Sequence, residues 1–594
     1  MVVAPARAQT SASSLGRLEQ ESVDEALTEL GLTIEPAPEG KPVGIIHIVN
    51  QKVFSRRDWY FQLLNFFHRT TRNDILQREL LFKMGDPYSQ ALVDETVRNI
   101  QASPSLQLAG RRAFNPPDLS SVVVVVPVKS KQPGAVDLLA VTRDLWSLRF
   151  NTYFEFQQNT LSLLSTSMSE NNLFGWRKYL AMNFDMDQGR FGIGPTYFDP
   201  NIAGTHLTLM ASAQAWYKRG SDGYEGDNAL VSLRYPLYSL ASRWGAGIDV
   251  SHQNAVARAF RGNSLLLENV TSPSMPEVTE MLPYQFRRKI VTTDVGATRS
   301  FGQRVIQRVS AGHRFDRRRS EVLEDFPDPT LAPAFLAQIA PRSETRSEVY
   351  ARYEMFTARY GVFRNLDTFD LRENRNLGPW VKLELAAGTP AWGADFAAFP
   401  VLGSVGWAVA SGGGYAYVQV QGTARYAHLP CPDNPRAPPG AWCWVDQALQ
   451  TQAYFASPIV GRVAGLVVMA ETDAVRADTR NTRYLLGGAT GLRGYAIGDL
   501  EGTTQVIAHV ELRSLPLAVF SQRFGAVVFY DVGDAAFSFD ALVPHHDIGA
   551  GFRWLIPQLN SAVLRLDWAV AAEGTRYTRA GLPGRFTAGY MQVF

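Results

Sequence analysis

From Leu148 to the carboxyl terminus, apolar and polar residues alternate with a period of two. In 505–513, Gln505, Ile507, His509, Glu511 and Arg513 fall on one face, and Val506, Ala508, Val510 and Leu512 on the other. The same holds in 546–554, where Asp547, Gly549, Gly551 and Arg553 oppose Ile548, Ala550, Phe552 and Trp554. Arg565 and Asp567 oppose Leu564, Leu566 and Trp568, and Asn183, Asp185 and Asp187 oppose Leu180, Met182, Phe184 and Met186. Such alternation predicts strands, about 20 of them, each about ten residues long. A soluble sandwich alternates too, so connection lengths must decide. Counted from the first strand, odd-to-even connections include the long stretches 255–284, 319–344, 428–444 and 478–504. Even-to-odd connections include the tight ones 301–304, 411–413, 458–462 and 557–561, with 363–377 as the exception. Long loops at one end and short turns at the other predict a transmembrane antiparallel β-barrel over 147–594.

The first 146 residues read differently. Leu15, Leu18, Val23, Leu27 and Leu30 are spaced as on an amphipathic helix, and a Pro/Gly linker follows at 36–42. Residues 9–42 are therefore expected to be helix and linker. Over 43–146 the chain predicts a small α+β module. Its expected parts are a strand at Val43–Val53, a helix capped by Asn73 and running to about Phe82, and a Gly85-Asp86-Pro87 turn. A second helix capped by Ser89 follows, with strands at Leu106–Phe114 and Ser121–Lys129. Val136–Trp146 is expected to lead out of the module. At the amino terminus, Ala6-Arg7-Ala8 before Gln9 matches a small-residue signal-peptidase site, so 1–8 is expected to be a signal-peptide remnant. An Ala-rich tail is the alternative.

Composition narrows the partners. No apolar run reaches about 18 residues, which excludes an ordinary helical membrane protein. The net charge of +2 gives no nucleic-acid footprint. The two cysteines, Cys431 and Cys443, bracket a Pro-rich outer loop and fit either a loop disulfide or two free thiols. No Gly-x-Ser-x-Gly, His-Glu-x-x-His or Walker pattern occurs. No enzymatic activity, cofactor or metal is expected. His545-His546-Asp547 reads as the polar start of a strand. Asp316-Arg317-Arg318-Arg319 reads as a solvated loop edge, with a basic binding patch as the sharper alternative.

The remaining signal is a pair of motifs. Leu485–Tyr495 contains Leu492-Arg493-Gly494-Tyr495, and Phe529-Tyr530-Asp531-Val532-Gly533 lies downstream. On the alternation, Glu511 and Asp531 both point into the lumen, where a guanidinium could bind them with its planar fork. Together the motifs resemble the BamA/TamA superfamily of outer-membrane protein insertases and translocases, the bacterial surface antigen family. The resemblance implies an inward loop carrying Arg493, Gly494 and Tyr495, whose arginine meets Glu511 and the Asp531 of the Phe529–Gly533 strand. It also implies a 16-stranded barrel. Gly85-Asp86-Pro87-Tyr88, leading to Glu95-Thr96-Val97-Arg98-Asn99-Ile100, resembles a polypeptide-transport-associated (POTRA) domain, which implies a periplasmic location. Asn171–Gly175 and Phe198–Pro200 resemble turns at the front of such barrels. Thr587, Gly589 and Phe594 resemble the terminal targeting signal, from which Gln592 departs.

The function so implied is insertion or translocation of polypeptides, with the POTRA domain capturing clients by strand addition. The alternative is a passive porin-like channel. The implied partners are unfolded outer-membrane or secreted polypeptides, the lipid bilayer, and periplasmic or lipoprotein factors. The helix at 15–30 is expected either as a tether or as a pore plug, like that of two-partner secretion transporters.

Overall fold

The computed structural model describes residues 15–54, 59, 61–101, 118–157, 160–221, 223–272, 277–433, 436, 438, 440–461, 463–488, 491–573 and 583–590. The signal-peptide expectation, the strand expected at 106–114, Gln592 and Phe594 lie outside these.

The module comprises α1 (Arg17–Leu30), β1 (Val43–Gln51), α2 (Asn73–Glu79), α3 (Gln90–Gln101), β2 (Ser120–Lys129) and β3 (Val136–Asp144). The sheet order is β1-β3-β2, with β1 parallel and β2 antiparallel to β3. Val136–Asp144 is thus the central strand rather than a connector. Every residue of β3 is buried, including Asp137, Thr142, Arg143 and Asp144. Leu76, Leu80, Val93, Val97 and Ile100 of the α2/α3 region pack on one face with Val123, Val125, Leu138 and Ala140.

Val23 and Ala26 of α1 cover the other face, against Val122, Val124, Leu139 and Val141. The amino-terminal helix is therefore neither tether nor plug. Its apolar stripe belongs to the module's core, so the module begins before residue 43. Asn73 is the first helical residue of α2, and Arg72 occupies the cap without a side-chain bond. β1 is the more open edge, with Ile45 51% exposed, whereas β2 is buried along most of its length.

The barrel follows directly. Its strands are β4 (Leu148–Gln157), β5 (Thr160–Glu170), β6 (Tyr179–Met186), β7 (Arg190–Asp199), β8 (Thr208–Lys218), β9 (Tyr224–Tyr235) and β10 (Trp244–Arg258). Next come β11 (Gln285–Phe301), β12 (Val305–Glu321), β13 (Glu344–Thr357, resumed at Arg359–Phe363), β14 (Glu373–Gly388), β15 (Ala398–Ser411), β16 (Gly414–His428) and β17 (Trp442–Ala456). The last are β18 (Ala464–Arg476), β19 (Thr504–Ser514, resumed at Leu517–Val519), β20 (Gln522–Ala536), β21 (His545–Leu555), β22 (Leu564–Ala571) and β23 (Arg585–Tyr590). Each pairs antiparallel with its sequence neighbours, and β23 closes on β4. The sheet therefore has 20 strands. This agrees with the count of alternating segments and not with the 16 that the family resemblance implies.

Outward positions carry an apolar band that includes Val231, Leu233, Ile248, Val250, Val291 and Val295, all exposed. Aromatic residues mark its borders. Tyr426, Trp442 and Trp444 cluster at the outer rim, and Arg299 stacks on Trp244 and Phe301 at the inner rim. An apolar belt between aromatic girdles is what a bilayer requires of a barrel exterior.

The long-outside, short-inside sorting of loops holds for most connections from β10 onward, with the inner stretches 364–372 and 556–563 as exceptions. In the first strands it reverses. The inner turns 171–178, 200–207 and 236–243 are longer than the outer ones at 187–189 and 219–223. These inner turns receive the module. Asn172 Nδ2 donates to Thr71 Oγ1 (3.1 Å), Arg177 to the carbonyl of Ile100, and Asn201 Nδ2 to Glu79 (2.9 Å). Asn99 Nδ2 donates to the Tyr238 carbonyl (2.8 Å), and the Leu240 N–H donates to Glu95 (2.6 Å). On another part of the inner rim, Gln101 donates to the Arg372 carbonyl (2.6 Å), and Arg98 lies 4.1 Å over the Tyr360 ring. The end of α3 is thus held between two sets of inner loops.

Candidate functional site

Four neighbouring strands, β19 to β22, direct their alternate residues into the lumen. Pairing sets His509 opposite Asp531, Glu511 opposite Phe529, Asp531 opposite Asp547, and Gly551 opposite Asp567. The period-two pattern therefore places Glu511, Asp531, Asp547 and Asp567 on one wall. Isolated carboxylates in so enclosed a place would be costly.

The counter-charge comes from the outer loop 477–503. Residues Tyr484–Leu486 pair with Leu500–Gly502, and the segment between them folds inward. Arg493 at its tip is 1% exposed. Its Nε and Nη2 donate to the two carboxylate oxygens of Asp531, each at 2.7 Å. Its Nη1 donates to Glu511 Oε1 at 2.7 Å and lies 3.5 Å from Asp567. The guanidinium stacks 3.3 Å from the Phe529 ring centroid. One side chain thus uses its fork, its remaining donor and its face at once, which lysine cannot do.

The flanking residues hold the backbone. The Gly494 N–H donates to Asp547 Oδ2 at 2.9 Å. A Cβ there would come within 2.7 Å of the Ala571 nitrogen, so the loop could not approach the wall with a side chain. The Tyr495 hydroxyl donates to the His546 carbonyl (3.2 Å), and its ring packs with Leu486, Leu492, Ile507 and Ala535. Gly549 leaves the space occupied by Phe529, whose Cζ would lie 2.2 Å from a Cβ on it. Gly533 sits where a Cβ would press on the Val506 carbonyl at 2.5 Å.

The network extends beyond the two motifs. His509 Nδ1 lies 2.8 Å from Asp531, and Arg513 Nε donates to Glu511 Oε2 at 2.7 Å. Arg553 pairs with Asp567, and Arg565 lines the same wall. Motif reading misses these residues. The signal that finds them is membership of the same inward face on adjacent strands.

A second loop enters from the opposite end. The stretch 363–377 is partly strand, since Arg359–Phe363 pairs with Glu373–Leu377. Residues 364–372 between them turn into the lumen. Glu373 accepts from the N–H groups of Leu366, Asp367 and Thr368. Arg513 Nη1 donates to the Leu366 carbonyl (2.6 Å), and Arg523 to Asp370 (2.5 Å). Phe369 and Leu371 pack with Leu555 and Val563. At its outer edge Arg364 pairs with Glu19 of α1 at 2.5 Å. Loops from both ends of the barrel therefore converge on Glu511, one through Arg493 and one through Arg513.

Other sequence-singled residues lie apart. Cys431 and Cys443 form a disulfide in an outer loop, with Cα atoms 5.9 Å apart. Thr587 and Gly589 sit on β23, where a Cβ on Gly589 would meet Tyr153 Cδ2 at 2.3 Å. Asp316–Arg319 is strand rather than loop edge. Asp316 and Arg318 face the lumen and form two 2.8 Å bonds.

No family model and no curated protein matches the chain. Solved structures do resemble it. BamA from Haemophilus ducreyi lacking POTRA domains 1–3 is 12% identical, over 92% of this chain and 85% of that chain, with a TM-score of 0.33. CdiB from Escherichia coli is 10% identical, over 94% and 79%, with a TM-score of 0.40. BauA, the ferric preacinetobactin receptor from Acinetobacter baumannii, is 9% identical, over 83% and 89%, with a TM-score of 0.38. These are distant likenesses.

Proposed function

We propose that this chain is an outer-membrane barrel that passes polypeptides into or across the membrane, with its amino-terminal module acting as a periplasmic POTRA domain. The observation that carries the reading is the pair of loops that fold into the lumen from opposite ends and converge on Glu511 through Arg493 and Arg513. β23 closes the barrel on β4 at a seam where Thr587 faces Glu155 and Ala588 faces Phe154. The Arg493 network ties β19 to β22 together, so strain from a client would be taken up at the neighbouring seam. The open edge of β1 offers a template for strand addition near the inner mouth, and periplasmic or lipoprotein factors would engage that same module. This reading requires no catalytic centre and no cofactor. A passive channel has no use for two loops folded into its lumen.

The test is a cross-link. Phe154→Cys with Ala588→Cys places a thiol pair across the seam at register partners. Oxidation is expected to stop delivery of client barrels or secreted proteins, and reduction to restore it. Full delivery with the seam closed would remove the proposal's mechanism. Depleting the chain and recording which outer-membrane or secreted proteins disappear then names the clients.

A further inference from the structure

A cavity of about 490 Å³ lies in the lumen beneath the outer loops, away from the Arg493 wall. Its walls come from the start of β7, from β10, β11 and β12, and from the outer connections 259–284 and 477–503. Arg190, Arg258, Arg288, Arg318, Arg480 and Arg483 line it, and among the described residues Asp187 is the only lining carboxylate.

Four of these arginines have their own acids. Arg190 pairs with Asp187 (3.3 Å), Arg258 with Glu225 (2.5 Å), Arg318 with Asp316 (2.8 Å) and Arg483 with Glu268 (2.5 Å). Arg288 and Arg480 are different. Among the described residues neither forms an ion pair with a carboxylate, and the Nε of each is buried without a hydrogen-bond partner. Asp316 and Asp446 act on Arg480 from beyond ion-pair distance, and each is engaged by another arginine, Asp316 by Arg318 at 2.8 Å and Asp446 by Arg425 at 2.7 Å. Among the described residues, Arg288 and Arg480 thus line the cavity with no carboxylate of their own within ion-pair distance. Hydroxyl-bearing Tyr284, Ser320 and Thr482 also line it. A guanidinium fork matches the oxygens of a tetrahedral oxyanion, and one dianion balances two such charges.

We propose that this cavity binds a phosphate-type dianion, either free hydrogen phosphate or the phosphomonoester of a sugar or lipid headgroup. Arg288 belongs to β11 and Arg480 to the loop that carries Arg493. A bound dianion would therefore fasten that loop to the opposite wall. The site is independent of the translocation reading, because its binding can be measured whether or not the barrel moves clients.

The experiment uses the full chain in detergent. Calorimetric titration is done with sodium phosphate and with glucosamine 1-phosphate, each against chloride at matched ionic strength. Saturable binding is expected, and Arg288→Gln or Arg480→Gln should each weaken it by about tenfold or more. A variant-free measurement accompanies it: the wild-type unfolding temperature should rise with phosphate and stay level with chloride. Equal affinity for both probes assigns the free anion, and tighter sugar phosphate assigns a headgroup. No saturable binding of either probe, or unchanged affinity in the double variant, would overturn the site.

Discussion

Arg493 is a single side chain that joins one inward loop to acids on β19, β20 and β22. Its replacement by alanine leaves Glu511 and Asp531 buried beside one another, a loss of about 3–5 kcal/mol. Arg493→Lys retains a charge but neither the fork nor the stacked face, so its unfolding midpoint should fall between wild type and alanine. Denaturant melts of the detergent-solubilised protein would measure the series, and an unchanged alanine midpoint would refute the lock. Glu95 offers a second residue-scale test. Burial raises its carboxyl above the ordinary value, while the Leu240 N–H draws it partly back. A raised carboxyl contributes most below its unfolded pKa, and that contribution is lost as pH rises through the folded value. Module docking, followed by protection from protease, should therefore loosen as pH rises above the usual carboxylate range. Glu95→Gln should flatten that dependence. The sequence makes Arg493, Glu511 and Asp531 legible, because a motif and a period-two face point to them together. Arg513, Arg553 and Asp567 share the face but sit in no motif, so only strand pairing reveals them as partners.

Among the elements, the inner loop 364–372 differs most from what its sequence suggests. Seen as spacing, 363–377 is an overlong turn on the wrong side. Folded, it is a strand extension plus an inward segment whose amide groups are satisfied by Glu373 and whose carbonyl binds Arg513. Replacing 365–371 with a short Gly/Ser linker should raise single-channel conductance in planar bilayers well above that of the wild type. Equal conductance would mean that the loop does not obstruct the lumen. Helix α1 makes a related point. Its apolar spacing announces an amphipathic helix, but the sheet face that it covers lies far along the chain, at 122–128 and 139–141. Local periodicity fixes that a face must be buried and leaves its partner open.

The whole molecule is a closed barrel whose first and last strands, β4 and β23, meet at a seam. The proposed opening of that seam sets it apart from the continuous β10–β11 and β11–β12 ladders. Backbone amides of β4 and β23 should exchange hydrogen much faster than those of β11 and β12, by mass spectrometry on the protein in nanodiscs. Uniform protection around the barrel would count against a seam that opens. The reversed loop lengths of the first strands also belong to this scale. Those inner turns are long because they dock the module, a contact between segments about 100 residues apart or more.

The sequence by itself determined the strand class, the inward and outward faces, the bilayer-facing belt and the arginine and acids that meet in the lumen. Each follows from period, composition or a short motif, which are local properties of the chain. Tertiary structure alone decided that α1 completes the module's core and that loops from both ends share Glu511. It also decided which two arginines of the luminal cavity have no ion pair among the described residues. Those outcomes depend on which distant segments meet, and pairwise charge balance exists only once they have met.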